Sequence, residues 1–241
     1  MKMWWMVIPG LAGIIAMLSG KKSGGGEGAK SGGPTYTVSD WTPLISSMAK
    51  EARIPAVFCL SWIKHESGGN PCSFGSASSK GPDGHPREQG IAQLYNPDDF
   101  EKFDIKSGAL RVYCVPGTQQ CSRRLTDSEM KEHALANMKL ILRCREVAGQ
   151  ASAKNGLHWK GKDIYKLVKL VHGLPGLVKS GMALVVKSLG RPPKDWQEFK
   201  VAVDKTKMDD GTEKYRSLFP KLFANAEKVA ADLPDDVKVV S

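Results

Sequence analysis

The chain has 241 residues, with 35 Lys and Arg against 25 Asp and Glu, giving a formal net charge of +10. Apolar residues make up 41% and charged residues 25%, the composition of a folded globular protein, which excludes a mostly disordered chain. The basic excess suits a polyanion such as nucleic acid, an anionic membrane or a bacterial cell wall, and charge alone does not choose among them.

Residues 3–18, MWWMVIPGLAGIIAML, are uncharged and follow Lys2, so they read as a signal peptide or an N-terminal membrane anchor. As a helix the segment spans roughly 24 Å, short of a hydrocarbon layer of about 30 Å, which favours a signal peptide. The lack of a small-x-small cleavage pair after it favours an uncleaved anchor making membrane contact through residues 3–18. Trp4 and Trp5 at one rim and Lys21 and Lys22 at the other fit an interfacial position. Residues 20–34, GKKSGGGEGAKSGGP, hold no apolar side chain larger than Ala and cannot offset their ordering entropy. With 1–20 as the hydrophobic segment, 21–39 form a flexible Gly-rich linker.

The folded unit should begin near Asp40, where Pro43 sits in a first turn and Leu44, Ile45 and Met48 give an apolar face, predicting a helix over about 43–53. Ile54-Pro55 interrupts, and AVFCLSWIKHE predicts a buried helix over about 55–67, stopped by Gly68-Gly69. Residues 70–88 are rich in Gly, Ser and Pro and read as a long loop. Residues 90–95 form a short apolar element ended by Asn96-Pro97. Thr126 or Asp127 caps an amphipathic helix to about Val147, and further helices are expected at about 162–172, 176–189 and 212–231. Strand signals are few, so the fold class is mainly α. A domain over 40–189 and a C-terminal helical extension over 190–241 complete the division.

Cys59, Cys72, Cys114, Cys121 and Cys144 contain no C-x-x-C pair, which argues against structural zinc. Cys114 and Cys121 bracket a turn-rich stretch that a disulfide closes in an oxidising compartment; the alternative is isolated thiols, with Cys59 and Cys144 buried as small hydrophobes. His65-Glu66 lacks the second histidine of a zinc-protease helix, since Gly69 stands there, and the other histidines lack ligand spacing, so no metal or other cofactor is expected. Lys162, Lys166, Lys169, Lys179 and Lys187, interleaved with Leu and Val, read as the solvated faces of ordinary helices. Nothing beyond charge points to nucleic acid, which is not an expected partner.

Glu66 stands in the last turn of the buried helix. Helix-end partial charge and apolar surroundings both disfavour its ionisation, so its pKa is expected to rise, as general-acid chemistry requires; the alternative is that it reaches solvent beyond the helix end. Glu66-Ser67 with Asn70-Pro71, followed by Gly90-Ile91-Ala92-Gln93-Leu94 with Asn96-Pro97, resembles the two leading motifs of lysozyme-like lytic transglycosylases of the SLT type, related to goose-type lysozyme. The resemblance spans roughly 40–189. A third motif of that family, an aromatic-Asn pair before a Gly-Pro-Gly turn, is matched imperfectly by residues 170–178, with Val171 and His172 in place of the pair. The loop from Cys72 to Glu88 is also longer than is common there.

The resemblance implies a lysozyme-like helical fold acting on peptidoglycan glycan strands at the cell envelope or in a phage virion. Glu66 would be the single acid/base cleaving the MurNAc-GlcNAc bond to a 1,6-anhydro product. Ser67 and Gln93 would hold the sugar, Gly90 would let the backbone come close, and Tyr95 and His172 would complete the substrate contacts. Hydrolytic glycosidases generally need a second carboxylate, and the nearby acids are Asp83, Glu88, Asp98 and Asp99. A muramidase of the same fold and an inactive wall-binding or structural component are the alternatives.

Overall fold

The computed structural model describes residues 33–76, 78–81, 84–106 and 108–237. The expectations for 1–20 and most of the linker lie outside these residues. Helix α1, Val38–Glu51, starts upstream of the expected 43 because the Asp40 carboxylate accepts the Thr37 N–H at 2.8 Å, so Pro43 lies inside the helix. Helix α2, Ala56–Ser67, matches its expected span, and Phe58, Cys59, Trp62 and Ile63 are buried in it. After the long loop, β1 (Glu88–Gln89) and β2 (Leu94–Tyr95) pair antiparallel around the turn at 90–93, followed by α3 (Asp98–Phe103).

Helix α4, Asp127–Asn155, is capped by Thr126, whose hydroxyl accepts the Glu129 N–H at 3.3 Å; it runs past Val147 until Gly156 ends it. Helix α5, Lys162–Gly173, is followed by a π-helical turn, Leu177–Gly181, and by α6, Met182–Leu189. Helix α7, Trp196–Lys205, was not expected; Asp195 caps it by accepting the Glu198 N–H at 2.8 Å. The helix expected over 212–231 is divided into α8 (Asp210–Glu213), a 3₁₀ turn (Arg216–Leu218) and α9 (Phe219–Ala231), because Pro220 fits only the first turn of a new helix.

The fold is mainly helical with little sheet. Helix α5 packs between α4 and α9, while α2 packs on α1 and α9. One apolar core runs from Tyr36 to Leu233. The C-terminal helices add Trp196, Phe199 and Phe223 to it; Trp196 and Phe223 meet edge-to-face at 5.5 Å, and the Trp196 indole donates to Glu227 at 2.8 Å. Among the described residues no helix is long and apolar enough to cross a membrane.

The disulfide is Cys72–Cys114, which is neither the Cys114–Cys121 bridge nor the set of isolated thiols that the sequence left open. Cys114 and Cys121 do face each other across an antiparallel bridge, but the loop after α2 delivers Cys72 to the same place. Cys59 and Cys144 are buried thiols, and burial pushes each up to about 12.

Two adjacent glycines fix how the end of α2 meets the rest of the protein. Gly68 (φ 65°) has open space where a Cβ would stand, whereas a Cβ on Gly69 (φ 93°) would lie 2.4 Å from the Thr37 carbonyl carbon. The same turn receives the Trp41 indole N–H on the Gly69 carbonyl at 2.7 Å. Gly68→Ala should therefore cost only the left-handed penalty of about 1 kcal/mol, and Gly69→Ala about 3 kcal/mol once overpacking is added. Urea unfolding of both variants checks the ordering; equal losses would contradict this packing.

Candidate active site

Three segments meet at the C-terminal end of α2. Glu66, in the last turn, has 14% of its side chain exposed and pairs with Lys169 from α5, which has 4% exposed. His172, one turn further along α5, places Nδ1 3.0 Å from Lys169 Nζ and 3.7 Å from Glu66 Oε1. Its Nε2 lies 3.3 Å from the Gln93 carbonyl oxygen, in the turn between β1 and β2. Because an ammonium can only donate, Nδ1 of the neutral ring accepts from Lys169, and Nε2–H is left to donate to Gln93. Trp62, one turn before Glu66, presents its ring 4.3 Å from Lys169 Nζ, and its ring centroid lies 5.4 Å from that of His172. The ammonium thus sits between a carboxylate and an aromatic face.

This geometry reverses the expected shift of Glu66. Burial is the largest single influence and by itself raises the pKa, but the Lys169 ammonium and the neighbouring His172 ring together outweigh it, and the carboxyl is held well below the usual range. The helix-end effect is the smaller of the two local electrostatic contributions. The helix end contributes about 0.3–1 kcal/mol, up to ~2, whereas unit charges about 4 Å apart attract by about 4 kcal/mol at an effective dielectric near 20.

Lys169 is also not on a solvated face. Lys179 and Lys187 are exposed and Lys162 and Lys166 half-buried, but Lys169 lies among the buried residues Leu167, Val168, Leu170 and Val171.

The other motif residues act first as framework. The Ser67 hydroxyl donates towards the backbone carbonyls of Ile63 at 3.2 Å and Ile91 at 3.0 Å and accepts the Gly69 N–H at 3.1 Å, so it joins α2 to the turn at 90–93. Gln93 is 7% exposed, and its side-chain amide donates to the Gly90 carbonyl at 2.9 Å. It has a φ of 54°, a left-handed backbone uncommon for a residue with a side chain. Gly90 is demanded from inside, because a Cβ there would meet the buried His133 ring at 3.1 Å. Tyr95 is 37% exposed and held beside Arg87, whose guanidinium carbon lies 5.4 Å from the ring centroid.

The structure thus brings Glu66, Ser67, Gln93 and His172 together and ties Tyr95 to Arg87. Of the loop acids, Asp98 is exposed, Asp99 accepts the Tyr95 N–H at 2.8 Å, Glu88 lies against Gly75, and Asp83 is outside the described residues. Lys169 and Trp62 were not singled out from the sequence. Their signals were there: Trp62 is one turn before Glu66, and Lys169 interrupts an otherwise apolar run one turn before His172.

A depressed carboxyl stabilises the fold fully above its unfolded value of about 4.3, and that contribution is lost as the pH falls through the lower folded value. Carbon-13 titration of the Glu66 carboxyl should show it still ionised through the ordinary glutamate range. In Lys169→Met the Glu66 carboxyl should titrate higher than in the wild type, because its strongest lowering influence is gone. An unchanged titration in the variant would show that Lys169 is not a cause.

No family model matches this chain, and no curated protein or solved structure matches it either.

Proposed function

We propose that the chain is a lysozyme-like lytic transglycosylase of peptidoglycan with Glu66 as its single acid/base, working at the cell envelope or in a phage particle. One observation carries this proposal: a nearly buried carboxylate at the end of α2 pairs with the 169–172 turn of α5, while its neighbour Ser67 and His172 both bind the 90–93 turn, so the three segments that the sequence motifs single out meet at one place. The basic balance of the chain, +10, suits an anionic wall polymer.

The ion pair adds a step before the chemistry. A glycan strand entering over α2 displaces the Lys169 ammonium and the His172 ring from Glu66, and burial, which opposes the charged form, then lets the carboxyl take up a proton. Glu66 delivers that proton to the glycosidic oxygen as the C1–O4 bond breaks. The carboxylate so formed accepts the proton of the 6-hydroxyl as O6 bonds to C1. The 1,6-anhydro ring closes, GlcNAc leaves with its 4-hydroxyl, and no water is consumed.

The same ion pair favours a second reading, in which Glu66 stays neutralised and the domain holds glycan without cutting it. Mass spectrometry of murein sacculi digested by the full chain separates the two. Anhydro-ended muropeptides are expected from the wild type and none from Glu66→Gln. The activity of Lys169→Met should peak at higher pH, because its Glu66 keeps its proton to higher pH. Reducing ends would mean a muramidase, and wall binding without any product would support the non-cutting alternative; either result overturns the proposal.

A further inference from the structure

Three sulfurs converge where the loop after α2 meets the turn at 113–122. Cys72 is bonded to Cys114, and the Cys121 thiol sulfur lies 3.0 Å from Cys72 Sγ. The two possible partners of Cys72 are held opposite each other. Cys114 and Cys121 form an antiparallel bridge closed by Val115 N–H donating to Gln120 O and Ser122 N–H donating to Tyr113 O, both at 2.8 Å. Arg111 fixes the register between loop and turn, donating to the Cys72 carbonyl at 3.1 Å and the Thr118 carbonyl at 3.0 Å. All three side chains are withdrawn from water, Cys72 at 0%, Cys121 at 2% and Cys114 at 8% exposure. An external thiol reaches Cys72 poorly, whereas Cys121 is already beside it.

We propose that this cluster is a site of intramolecular thiol–disulfide exchange, in which Cys114 and Cys121 share one disulfide with Cys72 as the constant partner. In the step, Cys121 gives its proton to solvent and its thiolate attacks Cys72 Sγ. The Cys72–Cys121 bond forms, the Cys72–Cys114 bond breaks with its electron pair on Cys114, and Cys114 takes up a proton. One disulfide and one thiol stand on each side, so no oxidant or reductant is consumed. Burial pushes the Cys121 thiol up against the opposing Arg111 guanidinium, so the attacking thiolate is a minor species and the exchange is slow.

Either bond ties Cys72, in the loop that follows Glu66, to the same turn. The cross-link beside the candidate active site is thereby kept whichever of the two sulfurs is oxidised, and one thiol stays in reserve. None of this depends on the glycan chemistry.

The test is disulfide mapping of the full chain, purified without reductant, quenched in acid, alkylated at low pH, digested and read by mass spectrometry. Wild-type protein should yield both Cys72–Cys114 and Cys72–Cys121 peptides, in a ratio independent of protein concentration. Cys114→Ser should yield Cys72–Cys121 as its bridge, and Cys121→Ser should yield Cys72–Cys114. A wild type containing Cys72–Cys114 alone, or a Cys72–Cys121 bond whose share rises with protein concentration, overturns the proposal. So does a Cys114→Ser protein in which Cys72 and Cys121 are both alkylated.

Discussion

The contact between Glu66 and Lys169 joins α2 to α5 across 103 residues of sequence, and the geometry of the candidate site depends on it. Taking either charge alone out of water costs several kcal/mol, so neither would be tolerated there without the other. Trp62 on one side and His172 on the other leave the ammonium a single strong partner. The C-terminal helices hold this arrangement in place. Helix α9 packs on both α2 and α5, and the aromatic group of Trp159, Trp196, Phe199 and Phe223 anchors it.

Around the ion pair, the polar groups expected to hold sugar already have backbone partners. Ser67 binds the carbonyls of Ile63 and Ile91, and the Gln93 amide is turned back to Gly90. Their role in the protein at rest is to fix the 90–93 turn against the end of α2. These bonds give the end of α2 and the 90–93 turn one fixed relative position. His172 extends that arrangement to α5 through the Gln93 carbonyl.

Local pattern carried much of the architecture. The apolar run after Pro55, the glycine pair that ends it and the Thr126 cap are readable because each depends on residues a turn apart. Helix α7 was legible in the same way, from Asp195 as cap and Trp196, Phe199, Ala202 and Val203 at helical spacing, but the two prolines before it masked the pattern. What the sequence did not disclose were the long-range partners. Glu66 read as a carboxyl pushed towards its neutral form because only its own helix was in view, and the cation that reverses the shift arrives from α5. Lys169 passed as one of five surface lysines because its charge outweighed its position in the apolar run. The disulfide followed the same rule: Cys121 is near Cys114 in sequence, but a 42-residue excursion brings Cys72 to bond it.

The central claim is that Lys169 guards a carboxyl which a glycan uncovers. A crystal structure of the Glu66→Gln protein with a bound murein oligosaccharide tests it most directly. The expected result is a glycosidic oxygen within hydrogen-bond distance of residue 66, with Lys169 Nζ moved off it. An oligosaccharide bound elsewhere, with Lys169 still against residue 66, would contradict the claim.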